Sequence, residues 1–282
     1  MINLGDQSSD SQVHDITFTT MSLQVAGRKA EIAVQRRAGQ GIPILHLHGF
    51  GSTKEDYADL ALRAAFDGRD LIAYDAPGFG ASGVDDPSAL SIPFLVEVAE
   101  AVCRALGLDP VHLTGHSMGG LTGLLFALRH PDRVASFLNI EGNLAPEDCF
   151  LSRQIVTHGG GNDAEFLAAF AQRVRSRRES GSALYAASLP VKVRASSPRP
   201  IFESMVALSD SQPLADQFIG LATPRAFVHG AENRHLSYLP RLKATGVEVI
   251  EIPSSGHFPM YSNPVALWNA LHDFIERAEA QA

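Results

Sequence analysis

Short apolar runs alternate with longer amphipathic segments along most of the chain. Four such runs follow residue 42 (IPILHLH, DLIAYD, VHLTGH and VASFLNI), and two more, RAFVHG and VEVIEIP, follow residue 222. Runs that are apolar at nearly every position predict strands buried on both faces, so the pattern predicts a mostly parallel α/β sheet covered by helices on both faces. The helices are expected to begin near Thr53, Ser91, Met118, Leu236 and Pro264.

Two regions depart from this alternation. Residues 16–20 and 30–35 show short alternating patterns, which predict an antiparallel hairpin or a pair of edge strands. Between residues 143 and 222 the pattern is helical, with Gly, Ser and Pro between the segments and no convincing strand. We therefore expect a core domain over residues 13–142 and 223–282, a helical cap over 143–222 and a flexible tail over 1–12.

Composition narrows the classes of partner. The chain has 282 residues, 45% of them hydrophobic, which is enough for one large domain with a buried core. A net charge of −8 disfavours nucleic acid and anionic membranes as partners. No apolar run approaches the ~20 residues of an integral membrane segment, and the first residues lack the pattern of a secretion signal, so we expect a cytoplasmic protein. The two cysteines make a poor zinc site and are expected to be reduced and buried.

The stretch GHSMGG places Ser117 at the junction between a predicted strand and a predicted helix. A reversal of this kind strains the backbone of the residue at its tip and exposes that side chain at the carboxyl edge of the sheet. Gly115 and Gly119 suit the turn, because side chains there would collide across it. The context therefore favours Ser117 as a nucleophile over a plain glycine-rich turn.

Three further stretches, together with GHSMGG, give the chain its family resemblance. They are HLHGFGSTKEDY at 46–57, DAPGFGAS at 75–82 and SSGHFPMYSNP at 254–264. In this order and spacing the four stretches resemble motifs of the α/β-hydrolase superfamily, in particular serine esterases and lipases. The resemblance implies the α/β-hydrolase fold, a mostly parallel eight-stranded sheet with an inserted helical cap.

A serine hydroxyl needs a base that takes its proton, and the chain has eleven histidines. His257 is the best candidate, because it follows a predicted strand near the end of the chain and the family order is nucleophile, acid, histidine. His48 is expected to order the loop after the first buried strand. The resemblance makes His116 structural, His46 is expected to be a packing residue, and the role of His229 stays open.

The acid of the triad is the most difficult residue to assign. Many members of the family carry an aspartate where this chain has Asn233, and a neutral amide cannot stabilise an imidazolium as a carboxylate does. Glu141 follows the apolar strand VASFLNI, a place that carries the acid in haloalkane dehalogenases and certain lipases. Glu232 lies one residue before Asn233. We favour Glu141 and keep Glu232 as the alternative.

The family mechanism also requires an oxyanion hole. One donor is expected to be the backbone N–H of Met118, which follows the nucleophile. The other is expected to come from Phe50, in a loop that Gly49 and Gly51 allow to turn tightly. These groups, with Ser117, imply acyl transfer to water through a covalent acyl-enzyme, with no metal and no organic cofactor.

The expected substrate is a carboxylic ester of small to medium size. Carbon–carbon bond hydrolases, thioesterases and perhydrolases use the same machinery and remain alternatives, as does a small-molecule receptor on the same fold. The cap contributes apolar side chains, most of them expected in its own core and a minority in an acyl pocket. They are Leu144, Phe150, Phe166, Phe170, Phe202, Met205 and Phe218.

Overall fold

The computed structural model describes residues 16–156 and 162–281; the tail predicted over residues 1–12 lies outside them. Within the described residues, nine strands form one sheet in the order β1-β2-β4-β3-β6-β7-β8-β9, with β5 paired to β2. The strands are β1 (Ile16–Val25), β2 (Arg28–Arg37), β3 (Gln40–Leu47), β4 (Arg69–Tyr74), β5 (Gly83–Val84), β6 (Val111–His116), β7 (Val134–Ile140), β8 (Arg225–Gly230) and β9 (Glu248–Ile252).

The α-helices alternate with the strands and then accumulate between β7 and β8. They are α1 (Ile92–Leu106), α2 (Met118–Arg129), α3 (Asp163–Arg175), α4 (Ser182–Lys192), α5 (Pro198–Ser211), α6 (Leu214–Ile219), α7 (Leu239–Ala244), α8 (Pro259–Ser262) and α9 (Pro264–Glu279). Sequence signals set several of their ends. Ser91 and Asn263 cap α1 and α9 by accepting backbone N–H groups, and Gly107 ends α1 in the left-handed conformation.

A parallel core runs from β4 to β9 across the sheet. The pairs β3–β4, β3–β6, β6–β7, β7–β8 and β8–β9 are all parallel. Every residue of β6 is buried, as expected for a strand covered on both faces. Because the strands are parallel, the segments that follow β3, β6, β7 and β8 all lie at one edge of the sheet. The predicted α/β-hydrolase fold with a mostly parallel sheet is confirmed.

The first two strands form the predicted antiparallel hairpin, in a register from Ile16 opposite Arg37 to Val25 opposite Arg28. Two residues connect them, Ala26 at φ 47° and Gly27 at φ 78°. Positive φ at both central positions is typical of the two-residue turn whose twist matches that of the strands. The hairpin extends the sheet at its antiparallel edge.

Three local predictions differ from the structure. The helix expected near Thr53 is a 3₁₀ helix, Lys54–Leu62, in which the Asp56 N–H bonds three residues back to Thr53. The helix expected from Leu236 begins at Leu239, after two turns closed by backbone bonds. Within the described residues the sheet has nine strands where eight were predicted, and the additional strand is the two-residue β5. Each difference concerns hydrogen bonds within a short segment, which hydrophobic periodicity does not encode.

The segment between β7 and β8 packs its helices over the loops that follow β3 and β9. Phe202 of α5 lies 4.2 Å from the ring of Phe50, and Tyr185 of α4 stacks on Phe258 at the same distance. The Lys192 ammonium at the end of α4 binds both carboxylate oxygens of Asp56, at 2.6 and 2.7 Å. These contacts cover the carboxyl edge of the sheet.

Two findings concern features expected from composition. Cys103 and Cys149 are both free thiols and both buried. Across residues 16–156 and 162–281, none of the helices combines the length and the apolar character needed to cross a bilayer.

We predict that the last helix, α9, stabilises the sheet through its buried face. Leu271→Ala removes a side chain that is 1% exposed and should lower the free energy of unfolding by about 2–5 kcal/mol. Val265→Ala on the same helix, where the side chain is 54% exposed, should change it by less than about 0.5 kcal/mol. Urea unfolding of both variants measures the difference, and equal effects would contradict the packing of α9.

Candidate active site

Ser117 lies between β6 and α2 in a strained conformation. Its φ is 51° and its ψ −116°, a combination that L-residues rarely adopt. Its N–H donates to the Ile140 carbonyl at 2.9 Å, and its carbonyl accepts the first bond of α2 from Leu121 at 3.0 Å. Strain of this kind costs about 1–3 kcal/mol and persists where the surroundings enforce it. The sharp turn expected from GHSMGG is therefore present, with the serine at its apex.

Glycine is required at two positions of this turn for reasons of space. A Cβ at position 115 would collide with the carbonyl group of Gly119, and a Cβ at position 119 would collide with the carbonyl group of Leu47. The start of α2 therefore lies directly against the end of β6 and the loop that follows β3. That close approach places the first N–H groups of α2, which have no intrahelical partner, near Ser117.

His257 and Glu141 are joined by a short hydrogen bond. The His257 Nδ1–H donates to Oε2 of Glu141 at 2.7 Å, and both side chains are buried. Glu141 is the first residue after β7 and has a φ of 48°, so its backbone is strained like that of Ser117. A donor at Nδ1 leaves Nε2 of the neutral imidazole as an acceptor.

Further donors complete the surroundings of the Glu141 carboxylate. The Gly230 N–H at the end of β8 donates to Oε1 at 2.7 Å, and the Asn233 amide donates to Oε1 and Oε2 at 3.0 and 2.8 Å. Asn233 stands where many relatives carry the acid, and here its amide binds the carboxylate instead. Glu232, the alternative acid, accepts hydrogen bonds from the backbone and hydroxyl of Ser180 at 3.2 and 2.5 Å.

The pair has shifted pKa values that favour its charged form. Burial alone would lower the pKa of His257, but the hydrogen bond and the charge of Glu141 outweigh burial and raise it above the ordinary value. Burial alone would raise the pKa of Glu141, but the bonds from His257, Asn233 and the Gly230 N–H outweigh burial and lower it. The imidazole is thus prepared to accept a proton beside a carboxylate that stays ionised.

His116 holds the backbone of the loop after β9 that carries His257, which we call the histidine loop. Its Nε2–H donates to the His257 carbonyl at 2.7 Å, and the two rings lie 4.9 Å apart. Burial, with a smaller contribution from His257, lowers the pKa of His116 to about 3, so the ring is neutral. From the other side, Glu179 accepts the His257 N–H at 2.7 Å.

His48 orders the loop after β3. Its Nε2 accepts the Ala76 N–H at 2.8 Å, and its Nδ1–H donates to the Gly49 carbonyl at 2.8 Å. A Cβ at Gly49 would collide with the His116 ring. The loop therefore also lies directly against the sharp turn at residues 115–119, which we call the elbow. Phe50 follows in the same loop.

His46 and His229 lie in the interior of the core. His46 Nδ1 is 2.9 Å from the Thr114 hydroxyl, and its ring stacks on Tyr57 at 4.8 Å, which is a packing role. His229 is buried and donates from Nδ1 to the Gly230 carbonyl at 2.9 Å. Each imidazole thus makes a local contact through Nδ1, while Nε2 of His46 is buried without a partner among the described residues.

A small cavity brings Ser117 and His257 together. It offers about 20 Å³ to the centre of a water molecule, and most of its wall is aromatic or aliphatic. Of the cap side chains singled out above, Phe150, Phe202 and Met205 line it. The complete lining is Phe50, Ser117, Asp148, Phe150, Leu151, Ser152, Tyr185, Phe202, Met205, His257 and Phe258.

A second, larger cavity adjoins the first and shares part of its wall. It offers about 180 Å³, and Phe150, Asp148 and His257 belong to the walls of both cavities. The Phe150 ring contacts His257 edge-on at 5.1 Å, and the Arg177 guanidinium lies 4.9 Å from the same ring. The cavity that Ser117 lines and the roomier one that Glu141 lines therefore share three wall residues, of which Phe150 is the aromatic ring in contact with His257.

Two polar residues of the smaller cavity are absent from the sequence-based candidates. Asp148 accepts bonds from the N–H groups of Leu144 and Ala145 and from the Tyr238 hydroxyl at 2.7, 2.8 and 2.9 Å. Burial outweighs these bonds and raises the pKa of Asp148 to about 6. Ser152 follows in a short 3₁₀ helix, Ser152–Ile155. Neither residue lies in a recognisable motif, so no sequence signal marks them.

Comparison with known proteins agrees with the fold described above. A family model described as the alpha/beta hydrolase fold matches residues 42–190. The pimeloyl-[acyl-carrier protein] methyl ester esterase of Aeromonas salmonicida is 34% identical over 117 residues, which are 42% of this chain and 42% of that protein. The chain thus spans about two-fifths of the length of the curated relatives it matches.

Solved structures match over nearly the whole chain. A thermophilic esterase from Thermogutta terrifontis has a TM-score of 0.74 and 20% identity, covering 93% of this chain and 99% of that one. A proline iminopeptidase from Mycobacterium smegmatis has a TM-score of 0.68 and 18% identity, covering 93% and 99%. At this identity the likeness shows the fold, and the two neighbours are named for different reactions on it.

We predict that the elbow tolerates no side chain at position 115. Gly115→Ala should lower the free energy of unfolding by about 1–3 kcal/mol, because the new methyl group must push α2 away from β6. Gly83→Ala is the matched control, since its Cβ would lie 3.6 Å from the nearest atom, in the flexible side chain of Arg194. Chemical denaturation compares the two variants; an equally stable Gly115→Ala protein would contradict the close approach.

Proposed function

Because the chain belongs to the α/β-hydrolase family, we propose that it is a serine hydrolase that cleaves carboxylic esters through Ser117, His257 and Glu141. The observation that carries the proposal is the bond from His257 Nδ1 to Glu141, made by an imidazole that shares a cavity with Ser117. The order of these residues along the chain is also that of the family.

In the proposed reaction the Ser117 hydroxyl attacks the ester carbonyl carbon. Nε2 of His257 takes the hydroxyl proton as the new C–O bond forms, and the positive charge on the ring is stabilised by Glu141. The tetrahedral intermediate then collapses, the alcohol departs with the proton from His257, and an acyl-enzyme remains. Water repeats the sequence with the same base, which releases the carboxylic acid and restores Ser117.

The negative oxygen of the intermediate requires N–H donors that are already in position. The Met118 N–H stands at the start of α2, where helical N–H groups lack partners and favour negative charge. The Phe50 N–H belongs to the loop that His48 orders, and the Phe50 side chain lines the same cavity as Ser117. We assign these two groups to the oxyanion hole, with His48, Gly49, Gly115 and Gly119 as supporting residues.

The size and polarity of the cavity favour a short, mainly apolar acyl group. A space of about 20 Å³ for water centres accommodates one or two water molecules, and most of the lining residues are aromatic or aliphatic. The relative from Aeromonas salmonicida is named as a methyl ester esterase, which agrees with an ester substrate. Thioester hydrolysis, peracid formation and carbon–carbon bond cleavage use the same groups and are the alternative reactions.

We predict that replacing the nucleophile abolishes hydrolysis. Ser117→Ala should reduce turnover of 4-nitrophenyl acetate and butanoate by about 10⁶-fold, because no acyl-enzyme can form. Initial rates give the loss, and mass spectrometry of the wild type after a fluorophosphonate probe should show one adduct on Ser117. Activity that survives the substitution would refute the proposed mechanism, and a wild type that turns over no ester would favour a receptor.

We predict that Glu141, and not Glu232, supports the base. Glu141→Gln should lower kcat by about 10²–10⁴-fold, since an amide cannot stabilise the imidazolium. Wild-type activity should rise with pH as His257 loses its proton, with a midpoint above 6.5, because Glu141 raises its pKa. The midpoint should move to lower pH in Glu141→Gln.

Glu232→Gln is the control for this prediction, since that carboxylate binds Ser180. Its kcat and its pH profile should stay close to those of the wild type. A severe loss in Glu232→Gln with a mild one in Glu141→Gln would reverse the assignment of the acid.

A further inference from the structure

Apart from Tyr185, whose ring stacks on Phe258, Ser152 has the one polar side chain of the small cavity that nothing above has given a role. Ser117 and His257 belong to the proposed triad, and the Asp148 carboxylate already accepts hydrogen bonds from Leu144, Ala145 and Tyr238. The rest of the wall consists of apolar and aromatic residues. A hydroxyl among apolar and aromatic side chains can provide a hydrogen bond to a polar group of a ligand.

The Ser152 hydroxyl is buried without a hydrogen-bond partner. The residue is 2% exposed, and Oγ has no partner among the residues that the structure describes. Most buried polar groups in folded proteins are paired, because leaving one unpaired costs about 1–3 kcal/mol. An unpaired hydroxyl in the wall of a cavity that also contains the nucleophile points to a group on the ligand that completes it.

We infer that Ser152 is a specificity-determining residue whose hydroxyl binds an oxygen on the acyl group of the substrate. The inference rests on the proposed ester hydrolysis and narrows it to one substrate class, esters of short hydroxy- or oxo-acids. A serine hydroxyl donates one hydrogen bond and accepts others, so it can bind either an alcohol or a carbonyl oxygen. The remaining aromatic wall provides contact for the carbon atoms of the acyl group.

This arrangement has a consequence for selectivity. A pocket built to hydrogen-bond a substrate oxygen discriminates against the analogue that lacks it, since the protein group is then left unpaired. A purely apolar pocket cannot make the same distinction with comparable strength. The wild type should therefore favour an oxygenated acyl group over the plain chain of the same length.

A second buried serine supplies a matched control. Ser182 at the start of α4 is fully buried, and its Oγ also lacks a partner among the described residues. Unlike Ser152, it does not belong to the wall of the cavity. Ser152→Ala and Ser182→Ala thus each remove one buried, unpaired hydroxyl, and only Ser152 is a residue of the cavity wall.

The test measures kcat/KM for methyl butanoate, methyl 2-hydroxybutanoate, methyl 3-hydroxybutanoate and methyl 3-oxobutanoate by pH-stat titration. For wild type and each variant, kcat/KM for each oxygenated ester is divided by kcat/KM for methyl butanoate. Comparing this ratio between wild type and variant cancels the differences in chemical reactivity among the esters. For the oxygenated ester that wild type prefers, Ser152→Ala should reduce the ratio about tenfold, the effect of one hydrogen bond. Ser182→Ala should leave it unchanged. Thermal melting checks that both variants are folded.

The outcomes separate this inference from the proposed function. Turnover of the esters with the same ratio in wild type and Ser152→Ala overturns the role of Ser152 and leaves the ester hydrolase intact. Equal reductions in Ser152→Ala and Ser182→Ala also overturn it, because a general loosening of the cap then explains the change. A wild type that hydrolyses none of these esters and no 4-nitrophenyl ester contradicts the proposed function, and this inference with it.

Discussion

The buried carboxylate of Glu141 is the interaction on which the geometry of the site depends. It is 5% exposed and receives hydrogen bonds from Gly230, Asn233 and His257. These donors belong to the end of β8, to the turn that follows it and to the loop after β9. An ionised carboxylate that leaves water loses several kcal/mol of solvation, which only well-placed donors restore. The carboxylate therefore joins three separate segments at one edge of the sheet, and the imidazole takes its orientation from that junction.

Two further contacts hold the histidine loop, and one of them comes from the segment between β7 and β8. His116, in the elbow itself, donates to the His257 carbonyl, while Glu179, in the segment between β7 and β8, accepts its N–H. The connection between α3 and α4, which contains Glu179, therefore helps to fix the backbone position of the proposed base. Phe150 extends the same coupling, since its ring contacts His257 and belongs to the walls of both cavities. Movement of the insertion would change access to the serine and the orientation of the base together.

Most strands and helices of the core could be predicted from the sequence. Uniformly apolar runs indicate strands buried on both faces, and the elbow requires glycine at positions 115 and 119, where any Cβ would collide with a neighbouring carbonyl. The predictions that differ, at Thr53 and Leu236, concern segments whose hydrogen bonds run three residues back. Hydrogen bonds of this kind produce no periodic pattern of hydrophobic residues in the sequence. The stretch after Thr53 is also held by Asp75, whose carboxylate binds both the N–H and the ammonium of Lys54 at 2.8 and 2.9 Å. A contact between positions 21 residues apart is not visible in a local pattern.

The sequence by itself determined the order of strands and helices, the sharp turn at Ser117 and the set of residues from which a nucleophile and a base could come. These follow from local rules: the period of burial, the space that glycine leaves and the caps that begin helices. Only the tertiary structure shows which neighbour each of the two candidate carboxylates meets, His257 for Glu141 and Ser180 for Glu232, because both residues follow strands that end at the same edge of the sheet. The tertiary structure also shows which aromatic residues of the segment between β7 and β8 line the cavity, since Phe150 and Phe202 do and Phe166 does not. In each case the deciding quantity is a distance between segments far apart in the chain, and that distance is set only when all the layers pack together.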